Sequence, residues 1–192
     1  MQILYADKYL VMVSKPAGIP SQPDPSGQSD LLTSLQADYP TASLIHRLDT
    51  PTGGVMVFGL APKATAKLCA LVQDHSLFCK EYLAVLRGHI EKDEDTLTDL
   101  LFRDASHNKS YVVKRMRKGV REAKLSYRTV GKTDTLTLVR VALHTGRTHQ
   151  IRVQFSSRGL PLLGDIRYGS KDPDCTAALW SYHLSFAHPV LK

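Results

Sequence analysis

The chain reads as an α+β domain, and three observations predict this. Candidate strands outnumber candidate helices. The two do not alternate in the regular manner of a βαβ series. Finally, 192 residues with 43% hydrophobic and 22% charged content suffice for one substantial core without calling for a second. One domain over residues 1–192 is therefore expected.

The elements are taken in chain order. Residues 9–13 form an apolar strand that runs into the turn Lys15-Pro16-Ala17-Gly18. Ser29 or Asp30 can cap a short helix in which Leu31, Leu32, Leu35 and Tyr39 recur at helical spacing, and Pro40 stops it. The run Val55-Met56-Val57-Phe58 is apolar enough for a sheet interior. Pro62 starts a second helix where its missing N–H costs nothing, with Ala64, Leu68, Leu71 and Val72 on one face. Residues 82–86 are apolar on both alternating faces, as in an interior strand, and 92–95 read as an exposed acidic turn. Strands at 110–113 and 123–130 flank a basic turn region at 114–121, which suggests a hairpin-like extension. Another strand covers 135–143, and Thr148 can cap a short helix that places Ile151 and Phe155 on one face and ends at Gly159.

Composition narrows the function classes. No apolar stretch has the length of a membrane span, and the N-terminus lacks a charged-then-apolar signal, so a cytoplasmic protein with no membrane partner is expected. The cysteines, Cys69, Cys79 and Cys175, are odd in number and lack metal-ligand spacing, which suits free thiols in a reducing compartment. His144 with His149, and His183 with His188, do not lie in a convincing continuous helix and have no cysteine pair beside them, so no metal is expected. A Ser/His/Asp hydrolase lacks its Gly-x-Ser-x-Gly elbow here. The net charge of +7 is localised: residues 103–132 hold ten Lys/Arg against Asp104 and Glu122, leaving the remainder near neutral. So concentrated a positive segment is the electrostatic footprint of a phosphate backbone. Solubility alone does not call for one sign of charge in one place.

The chemistry-bearing stretch is His46-Arg47-Leu48-Asp49-Thr50-Pro51-Thr52-Gly53-Gly54. A carboxylate stands at the tip of a short element, held by a Pro/Gly turn, and the glycine pair admits close approaches that a side chain would forbid. On an extended segment Arg47 and Asp49 would share a face. Read alone, the segment is equally a surface turn with a solvated Arg/Asp pair.

This stretch resembles the first catalytic motif of the RluA branch of pseudouridine synthases: His-Arg-Leu-Asp, two variable positions, then Thr-Ser-Gly. Gly53 stands where the family usually has Ser. Three further segments resemble the family in order. These are Lys15-Pro16-Ala17-Gly18; Lys80-Glu81-Tyr82-Leu83-Ala84, matching Lys-x-Tyr-x-Ala; and Gly146-Arg147-Thr148-His149-Gln150-Ile151-Arg152-Val153-Gln154. Gln154 replaces a histidine often found there. The likeness continues through Gly164-Asp165, Tyr168-Gly169, His183-Leu184-Ser185-Phe186 and His188-Pro189, and so covers essentially the whole chain.

The resemblance implies a mixed, mostly antiparallel central sheet with flanking helices and loops and a central cleft, as a single catalytic domain without the S4-type domain of many relatives. It implies Asp49 as the catalytic carboxylate, Tyr82 as the active-site tyrosine and Arg152 as the guanidinium that pairs with Asp49. The implied reaction turns uridine into pseudouridine in structured RNA, ribosomal or transfer, with nothing entering or leaving overall and no cofactor. The target base must leave the stack, and Arg47 is the candidate to occupy its place. His46 is expected to pack rather than to catalyse. Lys109, Lys114, Arg115, Arg117, Lys118, Arg121 and, in the third motif, Arg147 are the candidate RNA contacts of an enzyme expected to act as a monomer. The alternative is a catalytically idle RNA-binding or ribosome-assembly module, which would gain nothing from keeping Asp49, Tyr82 and Arg152 together.

Overall fold

The computed structural model describes residues 1–25 and 27–191. These hold ten strands and three α-helices, distributed over two compact units, Met1–Lys80 with Trp180–Lys192, and Glu81–Leu179.

In the first unit, β2 (Leu10–Lys15) lies antiparallel between the exposed edge strand β1 (Gln2–Ala6) and β4 (Gly53–Gly59). The far edge of β4 is shared. The two-residue β3 (Ser43–Leu44) pairs antiparallel at its end, and β10 (Leu179–Phe186) pairs parallel at its start, Trp180 opposite Gly53 and Ser181 opposite Gly54. Between β2 and β3 lies α1 (Leu31–Gln36), capped as expected by Asp30, whose carboxylate accepts the Thr33 N–H at 2.9 Å. Helix α2 (Pro62–Leu71) begins on Pro62 and buries Ala64 and Leu68. Leu10, Ile45, Val57, Leu68, Val72 and Phe78 form the core here, with Phe186 stacked on Phe78 at 4.8 Å. Each such side chain withdrawn from water contributes about 1.5–3 kcal/mol.

In the second unit, β5 (Phe78–Arg87, entered from the first unit), β9 (Leu136–Leu143), β8 (Val120–Lys132), β6 (Glu94–Asp104) and β7 (Lys109–Val113) lie side by side in that order, every pair antiparallel. Helix α3 (Gln150–Ser156) packs Val153 against Leu101, Ala123 and Tyr168, and Phe155 meets Tyr127 edge-on at 5.6 Å. A mostly antiparallel set of strands that includes the parallel pairing of β10 with β4 is the mixed α+β class expected.

Three local readings are corrected. The basic turn is not the tip of a hairpin: β7 and β8 each pair with β6, and residues 114–119 cross over its end. Strand β6 escapes a sequence reading because its buried face runs Leu97-Asp99-Leu101, where a carboxylate interrupts the apolar alternation and leaves two leucines at helix-like spacing. Glu94 and Asp95 belong to this strand rather than to an acidic turn. Helix α3 is not capped by Thr148. Its N-cap is His149, in the left-handed conformation at φ 55° with no side-chain cap. Gln150 instead braces the loop that leads in, its Oε1 accepting the Arg147 N–H at 2.9 Å and the Thr145 hydroxyl at 2.8 Å.

Candidate active site

The segment carrying Asp49 is irregular, so neighbouring groups must hold its backbone. On one side the hydroxyl of Ser21, buried, donates to Leu48 O at 2.8 Å and accepts the Leu48 N–H at 3.1 Å. On the other, Thr50 O accepts the Gly18 N–H at 2.8 Å and the Lys15 ammonium at 3.2 Å. Lys15 is fully buried and donates also to Pro16 O at 2.9 Å and Ile19 O at 2.7 Å. One cation thus binds the turn after β2 to the residue next to Asp49. Burial pushes the Lys15 ammonium down to about 8, and the negative charge of Asp49 acts in the opposite direction. Within the loop the Thr52 N–H donates to Asp49 O at 2.9 Å. Asp49 itself is half-buried and Arg47 is exposed.

The two glycines after this loop are sites of close approach. At Gly54, φ is +115°, and a Cβ would collide with the backbone of Ser181 on β10. At Gly53 a Cβ would stand 2.7 Å from Trp180 Cε3 and closer still to Cζ3. The exchange of the family's serine for glycine therefore has a local cause: the indole of Trp180 lies where that side chain would go.

His46 behaves as a packing residue. Its Nε2 accepts the Val57 N–H at 3.3 Å, its ring meets Phe78 edge-on at 5.9 Å, and burial together with the Lys80 charge pushes it down to about 3, so it is neutral. Among the described residues Arg47 makes no ion pair or side-chain hydrogen bond. Its guanidinium is therefore not committed to a structural carboxylate among those residues.

Tyr82 sits on a buried position of β5, opposite Val141 of β9. Lys80 precedes it on the same alternation and is also buried. Its ammonium stands 5.4 Å from the Phe78 ring centre, and desolvation pushes it down to about 8.

Arg152 projects from α3 and is buried. Its guanidinium is forked onto Asp165, Nε to Oδ2 at 2.7 Å and Nη2 to Oδ1 at 2.8 Å, and lies 5.0 Å from the Tyr168 ring centre. Sequence reasoning does not assign this role to Asp165. Gln154, two positions along, donates through Nε2 to Asp99 Oδ2 at 2.7 Å and so ties α3 to β6.

In the basic segment Lys114, Arg115, Arg117, Lys118 and Arg121 are exposed, and Lys109 is half-buried. Arg117 rests on the Phe102 ring at 4.9 Å, and Lys109 stands 5.2 Å from that of Tyr168. No carboxylate pairs with any of the six among the described residues, so the charges of the five exposed ones meet solvent uncompensated. Arg147 is exposed but differs from them, since its Nε donates to Glu122 O at 2.9 Å.

Two groups that hold candidate site residues, Lys15 and Asp165, are given no such role by the sequence reading. Lys15 has a visible signal: it continues the alternation of Val11 and Val13, which places a charge on the buried face of β2. Asp165 has none beyond its place in the resemblance.

The chain is similar to known proteins along most of its length. The family described as RNA pseudouridylate synthase matches residues 9–157. The chain is 32% identical over 195 residues to the Dual-specificity RNA pseudouridine synthase RluA of Yersinia pestis, covering 98% of this chain and 93% of that one. It is also 32% identical to Ribosomal large subunit pseudouridine synthase D of Nitrosomonas europaea, of whose length it spans 58%. Among solved structures, Human RNA Pseudouridylate Synthase Domain Containing 1 superposes with a TM-score of 0.79 at 23% identity over 95% of this chain and 77% of the other, a likeness of fold. Over nearly its whole length, then, the chain belongs to the RNA pseudouridine synthase family, on its RluA-type branch.

Proposed function

We propose that the protein converts a flipped-out uridine of structured RNA, ribosomal or transfer, into pseudouridine, with Asp49 as the catalytic carboxylate. The observation that carries this reading is the clamp on the Asp49 loop: Ser21 holds Leu48 and Lys15 holds Thr50, so the carboxylate is presented from a backbone fixed on both sides. Preorganisation of this kind lowers a barrier; a solvated surface turn has no need of it.

The reaction breaks the C1′–N1 bond, turns the uracil and forms a C1′–C5 bond. The proton lost from C5 is balanced by one gained at N1, so no redox partner enters. Asp49 acts at the sugar or the base. Tyr82 offers a planar face for the detached uracil and a hydroxyl for proton transfer. Arg152 supplies the guanidinium that keeps Asp49 ionised. Arg47 occupies the vacated stack, and Lys109, Lys114, Arg115, Arg117, Lys118, Arg121 and Arg147 contact phosphates. The enzyme acts as a monomer in the cytoplasm. An idle binding module is the weaker reading, since the named relatives are synthases.

Asp49→Asn tests the assignment. With ribosomal and transfer RNA transcripts as substrates and nucleosides separated after digestion, the variant is expected to lose conversion while its melting temperature and RNA affinity stay near those of the parent. Turnover by the variant above a contamination control would overturn the role of Asp49.

A further inference from the structure

We infer that Asp165 is a positioning residue for the reaction, acting through Arg152. This inference rests on the function proposed above. Both partners are withdrawn from water, with side-chain exposures of 5% for Arg152 and 1% for Asp165. A lone buried cation would be costly, and it would be free to turn toward whichever acceptor came nearest. The two-point fork at 2.7 and 2.8 Å removes that freedom, because two parallel bonds define the guanidinium plane where one bond would leave a pivot. Of the five N–H bonds of a guanidinium the fork uses two, so Asp165 directs the rest without exhausting them.

Asp165 is itself held. Its carbonyl accepts the Tyr168 and Ser170 N–H groups, both at 3.0 Å. The residue before it, Gly164, has φ +75° and leaves no room for a Cβ beside the Cys175 and Thr176 carbonyls. Below the guanidinium the Tyr168 ring is fixed in turn, its hydroxyl accepting the Ser110 N–H at 2.8 Å and bonded to His149 Nδ1 at 2.9 Å. The strained backbone of His149 opens the very helix that carries Arg152. Gly164, Asp165, Tyr168 and His149 thus form a rigid seat for Arg152. Packing alone would not require a carboxylate in that seat; an isosteric amide would fill the same space.

The test is Asp165→Asn, assayed with saturating RNA under single-turnover conditions alongside KM. Wild-type conversion, and its loss in Asp49→Asn, first establish the reaction. A misdirected guanidinium is expected to lower the chemical rate by about tenfold to a hundredfold, with KM changed by less than about threefold. In an Arg152→Lys background, which keeps a cation and loses the fork, the same Asp165 substitution is expected to change the rate by less than about twofold. A purely structural Asp165 would lower the melting temperature equally in both backgrounds and leave the rate of the folded fraction intact. That result, with wild type active, overturns the inference and leaves the proposed function standing. Absence of conversion by the wild type overturns both. Should Asp165→Asn fail to fold, Asp165→Glu keeps the charge and moves it by one methylene. It is expected to fold and to show the same rate loss at unchanged KM, and wild-type rates in that variant also overturn the inference.

Discussion

Restoring the serine that the family carries in place of Gly53 is expected to harm this protein, and the reason lies in a single contact. The new Cβ would stand 2.7 Å from Trp180 Cε3 and closer to Cζ3, whereas ordinary carbon–carbon contact begins near 3.5 Å, so the indole must retreat by roughly 1 Å. The backbone N of Ala17, 3.2 Å away, blocks escape in the other direction. The indole is 43% exposed and has somewhere to go, which places the cost in the usual overpacking range of about 1–3 kcal/mol. Trp180 is the chain's sole tryptophan, so its emission reports the displacement directly, and a red shift is expected in Gly53→Ser. Urea denaturation monitored by circular dichroism then compares Gly53→Ser, Trp180→Ala and the double variant. With the indole gone the serine keeps only the milder contact with Ala17 N, so the double variant is expected to lie close to Trp180→Ala in stability, with a coupling energy of about 1–3 kcal/mol. Strict additivity would refute the account.

Other outcomes turn on the charged groups. Lys80→Met is expected to stabilise the protein at pH 7 by about 1–3 kcal/mol, because a buried ammonium resting on a ring loses more solvation than it regains. The parent carries this penalty in full below pH 8. As pH rises from about 8 toward 10.5 the folded state releases the proton before the unfolded chain does, so stability climbs in that window; Lys80→Met is expected to flatten the climb in pH-dependent urea melts. A variant less stable than the parent at pH 7 would contradict this. Arg152→Met leaves Asp165 buried and unpaired, at a cost on the order of 3–5 kcal/mol, whereas Arg147→Met removes one exposed contact and is expected to cost under about 1 kcal/mol; equal, mild losses in thermal melts would show that the wrong arginine had been chosen. Neutralising Lys114, Arg115, Arg117 and Lys118 together is expected to reduce the salt dependence of RNA binding and raise KM, leaving single-turnover chemistry at saturating RNA nearly unchanged. An unchanged salt slope would place the RNA elsewhere.

Legibility from sequence tracks the locality of the physics. Asp30 capping α1 and Pro62 opening α2 satisfy orphan N–H groups a few residues away, so both can be read from the chain itself. Strand β6 cannot, because Leu97 and Leu101 mimic helical spacing, and without β6 the strands β7 and β8 read as partners of each other. The His149 cap is hidden for a related reason: Thr148 is the better capping residue, but its carbonyl is claimed by the Ser110 hydroxyl at 2.7 Å, from 38 positions away. Asp49, Tyr82 and Arg152 are named through family resemblance. Of their supports, Lys15 shows as a charge on the buried alternation of β2, whereas Ser21 and Asp165 come from loops or turns whose relation no periodicity encodes.

The parallel pairing of β4 with β10 also constrains how the protein can be made. The Ser181 hydroxyl donates to Val55 O across 126 positions, and the first unit is completed only by the segment that begins at Trp180. During synthesis the N-terminal eighty residues emerge well before that strand does. Until it arrives, the start of β4 presents bare N–H and C=O groups beside the apolar run Val55-Met56-Val57-Phe58, an adhesive surface for other nascent chains. A ribosome that stalls before Trp180 thus leaves behind a sticky, unfinished polypeptide. The strand that closes the first unit is translated only after the whole second unit, so products truncated before it are natural prey for proteases and chaperones.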